Sequence, residues 1–228
     1  LLKIFPKGPK VDLPNVKFGF CGAAPLSAEV WQKFEEVFCF PIYQGYGLTE
    51  TTCWAVSTPM GGERHYDSVG IPLPDVCEVK VELSEPTQSD AFVFDHADES
   101  SPGISTGEVL IRGDILSAGY FKNRKLTKRL MTHDGFYKTG DLGYFDEDGY
   151  LHITGRIKDV IIKNGANVSS ADIDAVIGQV DGVVECKTFG VSVALVGERI
   201  CIACVAENDG VSEQSVRQYA HDHLSHHM

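Results

Sequence analysis

The feature that most constrains this chain is that its hydrophobic period changes twice along its length. From Ser27 the apolar residues Val30, Trp31, Phe34, Val37 and Phe38 recur at helical spacing, the one-sided stripe that a surface helix turns toward a core. A serine just before such a stripe is a good N-cap, because its hydroxyl can accept an amide that the first turn leaves unpaired. The preceding Val16–Cys21 alternates as a strand and runs into Gly22-Ala23-Ala24-Pro25, and Phe40–Tyr43 reads as a short strand entering a glycine-bearing loop. Strand, helix and strand in this order suit the α/β class. Beyond Tyr66 helical spacing nearly vanishes. Val76–Leu83 alternates polar with apolar and Gly107–Gly113 follows as another strand, which predicts a mainly antiparallel unit.

The last third changes again. Lys158–Lys163 reads as a strand, and Ser169-Ser170 cap a helix carrying Ile173, Val176, Ile177 and Val180 on one face. Strands near Val183–Val191 and Ile200–Ala206 precede a helix begun by Ser212, with Val216, Tyr219, Ala220 and Leu224 inward. The expected fold is therefore mixed α/β and β. Residues 1–67 would end a large α/β subdomain, 68–155 would form a distorted antiparallel β-barrel, and 158–228 would form a small α/β C-terminal domain. The start at Leu1, without Met, reads as a cut inside a longer polypeptide.

Charge narrows the function. With 32 acidic against 20 basic side chains the chain carries −12, which repels nucleic-acid phosphates and anionic lipid. No apolar run approaches the roughly 18 residues that cross a bilayer. Seven cysteines scattered among apolar neighbours fit a reducing, cytoplasmic setting better than a disulfide framework. Cys201 and Cys204 form a CxxC, but within an extended apolar run residues three apart point to opposite faces. The acidic stretch Glu82–Ser101 reads as a solvated loop.

Two segments could carry chemistry. Gln44–Thr51 joins two glycines, a cluster of hydroxyls and Glu50, a composition able to cradle a phosphate on backbone amides and to hold Mg²⁺; a bare glycine turn before a capped helix explains the same residues. Thr139-Gly140-Asp141 is either a β-turn or a carboxylate placed to accept two ribose hydroxyls. Asp146 and Asp148, in the turn that follows, read as solvated and close to silent. His65, His96, His133 and His152 read as isolated loop or surface residues, and the tail histidines His221, His223, His226 and His227 lack an arranged carboxylate or thiol partner.

In order, the chain carries GAAPLS (Gly22–Ser27), YQGYGLTETT (Tyr43–Thr52), GEVLIRGDILSAGYF (Gly107–Phe121), GFYKTGDLGYFDEDGYLHITGR (Gly135–Arg156) and KDVIIKNGANVSSADID (Lys158–Asp174). This succession resembles the adenylate-forming, AMP-binding superfamily of acyl-CoA synthetases, luciferases and assembly-line adenylation domains, over about residues 15–228. The resemblance implies that Gly22, Ala23 and Ala24 lie along adenine and that Tyr46 stacks on it. It implies that Gly47 belongs to the nucleotide loop, that Thr49 meets the α-phosphate and that Glu50 ligates Mg²⁺. It further implies that Asp141 grips the ribose, Arg156 lies near it, and Lys158 is the hinge of a mobile C-terminal domain. Asn164, Ser170, Asp172 and Asp174 depart from the residues frequent after that hinge.

The implied reaction activates a small carboxylic acid with ATP as acyl-AMP, then passes the acyl group to CoA or to the phosphopantetheine of a carrier protein. Alternatives are an acyl-AMP ligase without thiol transfer and a non-catalytic fragment that binds nucleotide or a partner. Neither the family's glycine-rich phosphate loop nor its C-terminal Gly-Lys motif occurs in the 228 residues, so the chain by itself is expected to be inactive.

Overall fold

The computed structural model describes residues 13–24, 26–83, 106–163, 166–193, 197–207 and 210–224. The chain divides into two compact units. Unit 1 comprises Leu1–Leu83, Thr106–Thr139 and Gly143–Ile153, and unit 2 comprises Ser84–Ser105, Gly140–Leu142 and Thr154–Met228. The acidic stretch read as a solvated loop lies almost wholly outside the described residues, as do His96, His226 and His227.

Unit 1 opens with β1 (Gly19–Gly22), α1 (Ala28–Phe38) and β2 (Ile42–Tyr46), and β1 and β2 pair in parallel from Gly19 opposite Ile42 to Gly22 opposite Gly45. Ser27 caps α1 as its sequence indicates, its hydroxyl accepting from the Val30 amide at 3.3 Å. Trp31 and Phe38 are buried, whereas Val30 faces solvent. Trp31 sets the inward face, its ring edge-on to Tyr66 with centroids 5.0 Å apart, and Val30 lies about 100° around the helix from it. The two-residue strands β3 (Val56–Ser57) and β4 (Ile71–Pro72) extend this sheet in the order β1-β2-β3-β4.

Next come β5 (Cys77–Glu82), β6 (Gly107–Gly113), α2 (Arg124–Arg129), β7 (Tyr137–Phe145) and β8 (Leu151–Arg156), the strands lying in the order β5-β6-β7-β8. This sheet is open, and no closed barrel occurs among the described residues. Closure would need β8 to return onto β5; Leu151 instead bridges Gly70. The short helix α2, capped by the Asn123 side chain, has no apolar stripe and was not legible as periodicity. The core of unit 1 gathers Ala55, Val56, Val69, Val109, Ile111 and Leu151.

In unit 2, Lys158 does not start a strand. A 3₁₀ turn over Ile157–Asp159 precedes β9 (Val160–Lys163), then β10 (Ala166–Ser169), α3 (Ser170–Ile177), β11 (Val183–Val193), β12 (Gly197–Ala206) and α4 (Glu213–His223). The sheet order is β10-β9-β12-β11. Ser169 and Ser212 cap their helices. Ile161, Val168, Ile173 and Ile177 form the buried core, against which Val216 and Ala220 of α4 and its C-cap Leu224 pack.

Candidate functional site

The parallel pairing of β1 with β2 places two glycine-bearing loops side by side at the carboxyl ends of adjacent strands, where open α/β sheets bind ligands. Gly22 ends β1 and faces Gly45. A Cβ on Gly22 would stand 2.8 Å from the Gly45 carbonyl oxygen, so the approach requires glycine. Ala23 and Ala24 follow, both exposed, and Ala23 holds φ at 67°, a left-handed conformation that costs a non-glycine residue roughly 1–2 kcal/mol.

The second loop is held rigid by its own hydroxyls and by the segment after β6. A Cβ on Gly47 would lie 1.9 Å from the Cys53 carbonyl oxygen. The buried Thr51 hydroxyl accepts from the Leu48 amide at 2.9 Å and donates to the Leu48 carbonyl at 3.0 Å, closing a 3₁₀ turn over Thr49–Thr51. No long helix follows the glycines. Thr52 Oγ1 donates to the Ile115 carbonyl at 3.0 Å, and the Ser117 amide donates to the Glu50 carbonyl at 2.7 Å. Tyr46 is half-buried, Thr49 is exposed and Glu50 is half-buried.

Tyr120 donates its phenol to Glu50 Oε1, and Tyr137 lies 3.3 Å from the Tyr120 hydroxyl. The bond to Glu50 pushes the Tyr120 phenol above its ordinary range. Burial, then the bond to Tyr120, does the same for Tyr137. Both phenols are thus held as donors. No local pattern joins Tyr120 to Glu50, since 70 residues separate them. Beside Glu50 lies a cavity of about 20 Å³, lined also by Ser117, Met131 and Tyr137, room for about one water molecule.

Thr139-Gly140-Asp141 is not a turn but part of the continuous strand β7, with Gly140 at φ 74°. Asp141 is 3% exposed, and its Oδ1 accepts from Arg156 Nε at 2.7 Å. A carboxylate beside a guanidinium is the kind of charge-assisted acceptor that suits hydroxyl donors. Lys158 is exposed within the 3₁₀ turn.

Two residues outside these loops organise unit 1. Glu35 of α1, to which the sequence motifs assign no role, accepts from Trp31 Nε1 at 3.0 Å, the Ile42 amide at 2.7 Å and the Tyr66 hydroxyl at 2.9 Å, and pairs with Arg64. Burial raises its pKa, but the Ile42 amide, Arg64, Tyr66 and Trp31 together outweigh burial and hold the carboxyl below its usual range. Asp146 is likewise no idle turn residue. It meets His65 and His152, which are not isolated, and accepts the Tyr150 amide at 2.8 Å.

The profile of the AMP-binding enzyme family matches residues 2–121. Sulfoacetate–CoA ligase of Cupriavidus necator is 34% identical over 187 residues, covering 82% of this chain and 34% of its own length. Oxalate–CoA ligase of Arabidopsis thaliana is 31% identical over 223 residues, covering 95% of this chain and 40% of its own. Among solved structures, ATP-bound MatB from Rhodopseudomonas palustris matches with a TM-score of 0.77 at 31% identity, over 91% of this chain and 39% of that one. The chain thus spans 34% to 40% of the length of these relatives. No helix among the described residues is long and apolar enough to cross a membrane.

Proposed function

Because this chain belongs to the AMP-binding enzyme family, we propose that it supplies the adenylate-binding loops and the start of the mobile C-terminal domain of an ATP-dependent acid–CoA ligase. The single observation that carries this reading is the β1–β2 register, which sets Gly22 opposite Gly45 and so brings the GAA and GYG loops together. In this reading Gly22, Ala23 and Ala24 present backbone to adenine, Tyr46 stacks on its face, and Thr49 donates its hydroxyl to the α-phosphate. Gly47 keeps the loop tight enough for Tyr46 and Thr49 to face one ligand. Asp141 accepts the ribose hydroxyls, Arg156 stands beside it, and Lys158 is the pivot.

The chemistry requires such parts. A carboxylate resists nucleophilic attack, so its oxygen first attacks the α-phosphorus of ATP and pyrophosphate leaves. The resulting acyl-adenylate then loses AMP as CoA sulfur attacks its carbonyl carbon. Charge gathers on the α-phosphate in the first step, where a hydroxyl donor stabilises it. Mg²⁺ suits the donors present, since that ion is commonly bound by one or two carboxylates together with substrate phosphates. When bound it would neutralise phosphate charge beside Glu50, whose carboxylate Tyr120 orients. CoA is favoured as acceptor over a carrier protein because the two curated relatives described above are named CoA ligases.

The test is thioester formation by the gene's full-length product with ATP, CoA and a panel of small carboxylic acids. Asp141→Ala should weaken AMP binding by on the order of 10- to 100-fold, the loss of charge-assisted hydrogen bonds worth roughly 1.5–3 kcal/mol. Unchanged AMP affinity, or no acid-dependent pyrophosphate release with any acid, would overturn the reading. The 228 residues by themselves should show no exchange of pyrophosphate into ATP.

A further inference from the structure

We propose that His65, Asp146 and His152 form a binding site for a divalent first-row transition ion of the Zn²⁺ type, which would clasp the loop before β4 to the β7–β8 hairpin. The three residues lie in unit 1. Asp146 Oδ2 stands 3.1 Å from His65 Nδ1 and 2.9 Å from His152 Nε2, and the three donor atoms all fall within 4.8 Å of one another. Metal–ligand bonds of about 2.0–2.2 Å at tetrahedral angles place donors about 3.4 Å apart. Opening the two nitrogen–oxygen edges by about 0.3–0.5 Å, with the nitrogen–nitrogen edge, already within 4.8 Å, brought to the same spacing, would admit the ion. Two imidazoles and one carboxylate are the donor set that borderline divalent ions prefer, and three protein ligands leave a fourth position for water.

Each donor is already oriented by a partner that is not a ligand. The His65 ring stacks on Tyr150 at 3.9 Å between centroids, and the His152 ring stacks on Tyr144 at 4.7 Å. Asp146 Oδ1 accepts the Asp148 amide at 3.1 Å and the Tyr150 amide at 2.8 Å, which leaves Oδ2 aimed at the histidines. The backbone beneath is fixed as well. The Leu151 amide donates to Gly70 at 2.7 Å, and Ser68 Oγ donates to the Leu151 carbonyl at 2.7 Å.

Charge placement also favours a cation at the centre. His152 Nδ1 lies 3.7 Å from Asp67 Oδ2, the kind of outer carboxylate that commonly orients a ligating histidine. An ion between Nε2 and Oδ2 would place positive charge between two carboxylates in a chain of net charge −12.

The test adds Zn²⁺, and separately Co²⁺, to chelator-treated full-length protein. One equivalent of Zn²⁺ should bind saturably and raise the melting temperature. Long-range proton–nitrogen spectra should show two of the 8 histidines shifting their ring nitrogens, a readout that needs no mutation. Bound Co²⁺ should show visible ligand-field bands without near-ultraviolet thiolate charge transfer. His65→Gln and His152→Gln should each remove the first equivalent. Asp67→Asn should lower its affinity by about tenfold at unchanged stoichiometry, and the paired tail variant His221→Gln/His223→Gln should leave it intact. Absence of a saturable equivalent, a thiolate band, or loss of binding in the tail variant would overturn the proposal. None of these results depends on ligase activity.

Discussion

Replacing Glu35 with alanine should be among the most damaging single changes in unit 1. The carboxylate joins α1 to the start of β2 through the Ile42 amide and to the loop before β4 through Arg64 and Tyr66, while also satisfying the Trp31 indole. The Glu35 and Arg64 side chains are 13% and 25% exposed, so water can replace only part of what is lost. Removing one partner of a buried pair costs about 3–5 kcal/mol, and a hydrogen bond to a charged group is worth about 1.5–3 kcal/mol. Allowing for residual solvation and non-additivity, a loss of about 3 kcal/mol follows. Trp31 and Trp54, the chain's 2 tryptophans, both lie in unit 1, so tryptophan fluorescence during urea unfolding follows that unit alone. With a slope of about 1.5 kcal/mol/M the midpoint should fall by about 2 M. Glu35→Gln adds a pH test. The folded carboxyl is held below its usual range, so its stabilisation is complete above the unfolded glutamate pKa and declines as pH falls through the folded value. That acid-side decline should be reduced in Glu35→Gln. A midpoint shift of Glu35→Ala worth less than about 0.5 kcal/mol, the level of an ordinary surface substitution, would refute the hub.

Gly47→Ala should destabilise unit 1 by more than about 2 kcal/mol, because its Cβ would stand 1.9 Å from the Cys53 carbonyl and the loop must rearrange; a melting temperature within 1–2 °C of the parent would count against that crowding. Asp146→Ala should lower stability by about 2 kcal/mol, since it leaves two histidines and the Tyr150 amide without their shared acceptor. Asp148→Ala should stay within ±0.5 kcal/mol, and equal effects of the two substitutions in chemical denaturation would dismiss the distinction. In the full-length product Lys158→Pro should preserve acid adenylation but slow thiol transfer greatly. Proline holds φ near −65°, the range of the 3₁₀ turn found over Ile157–Asp159. Single-turnover rates that fall equally for both steps, or for neither, would remove Lys158 as the pivot.

Local physics was legible in the residues. Ser27, Ser169 and Ser212 begin helices because a hydroxyl satisfies an amide three positions on, and β6 occupies Gly107–Gly113, the run read as a strand. Most of the inner face of the last helix was readable too, with Val216, Ala220 and Leu224 against the core, since a period of about 3.6 belongs to the chain whatever it packs on; Tyr219, also read as inward, stacks on His223 instead. The order of five motifs led to the family for the same reason. What folding alone decided are the contacts whose partners lie far apart in sequence. Tyr120 reaches Glu50 across 70 residues, Glu35 takes Arg64 and Tyr66 across 29 and 31, and His65 meets Asp146 across 81. No periodicity encodes such pairings. Glu35, Asp146 and His65 each occupy positions where a solvated side chain fits the pattern equally well, and only the sheet registers, with Gly22 opposite Gly45 and Gly70 bridged to Leu151, carry them out of water and into one another's reach.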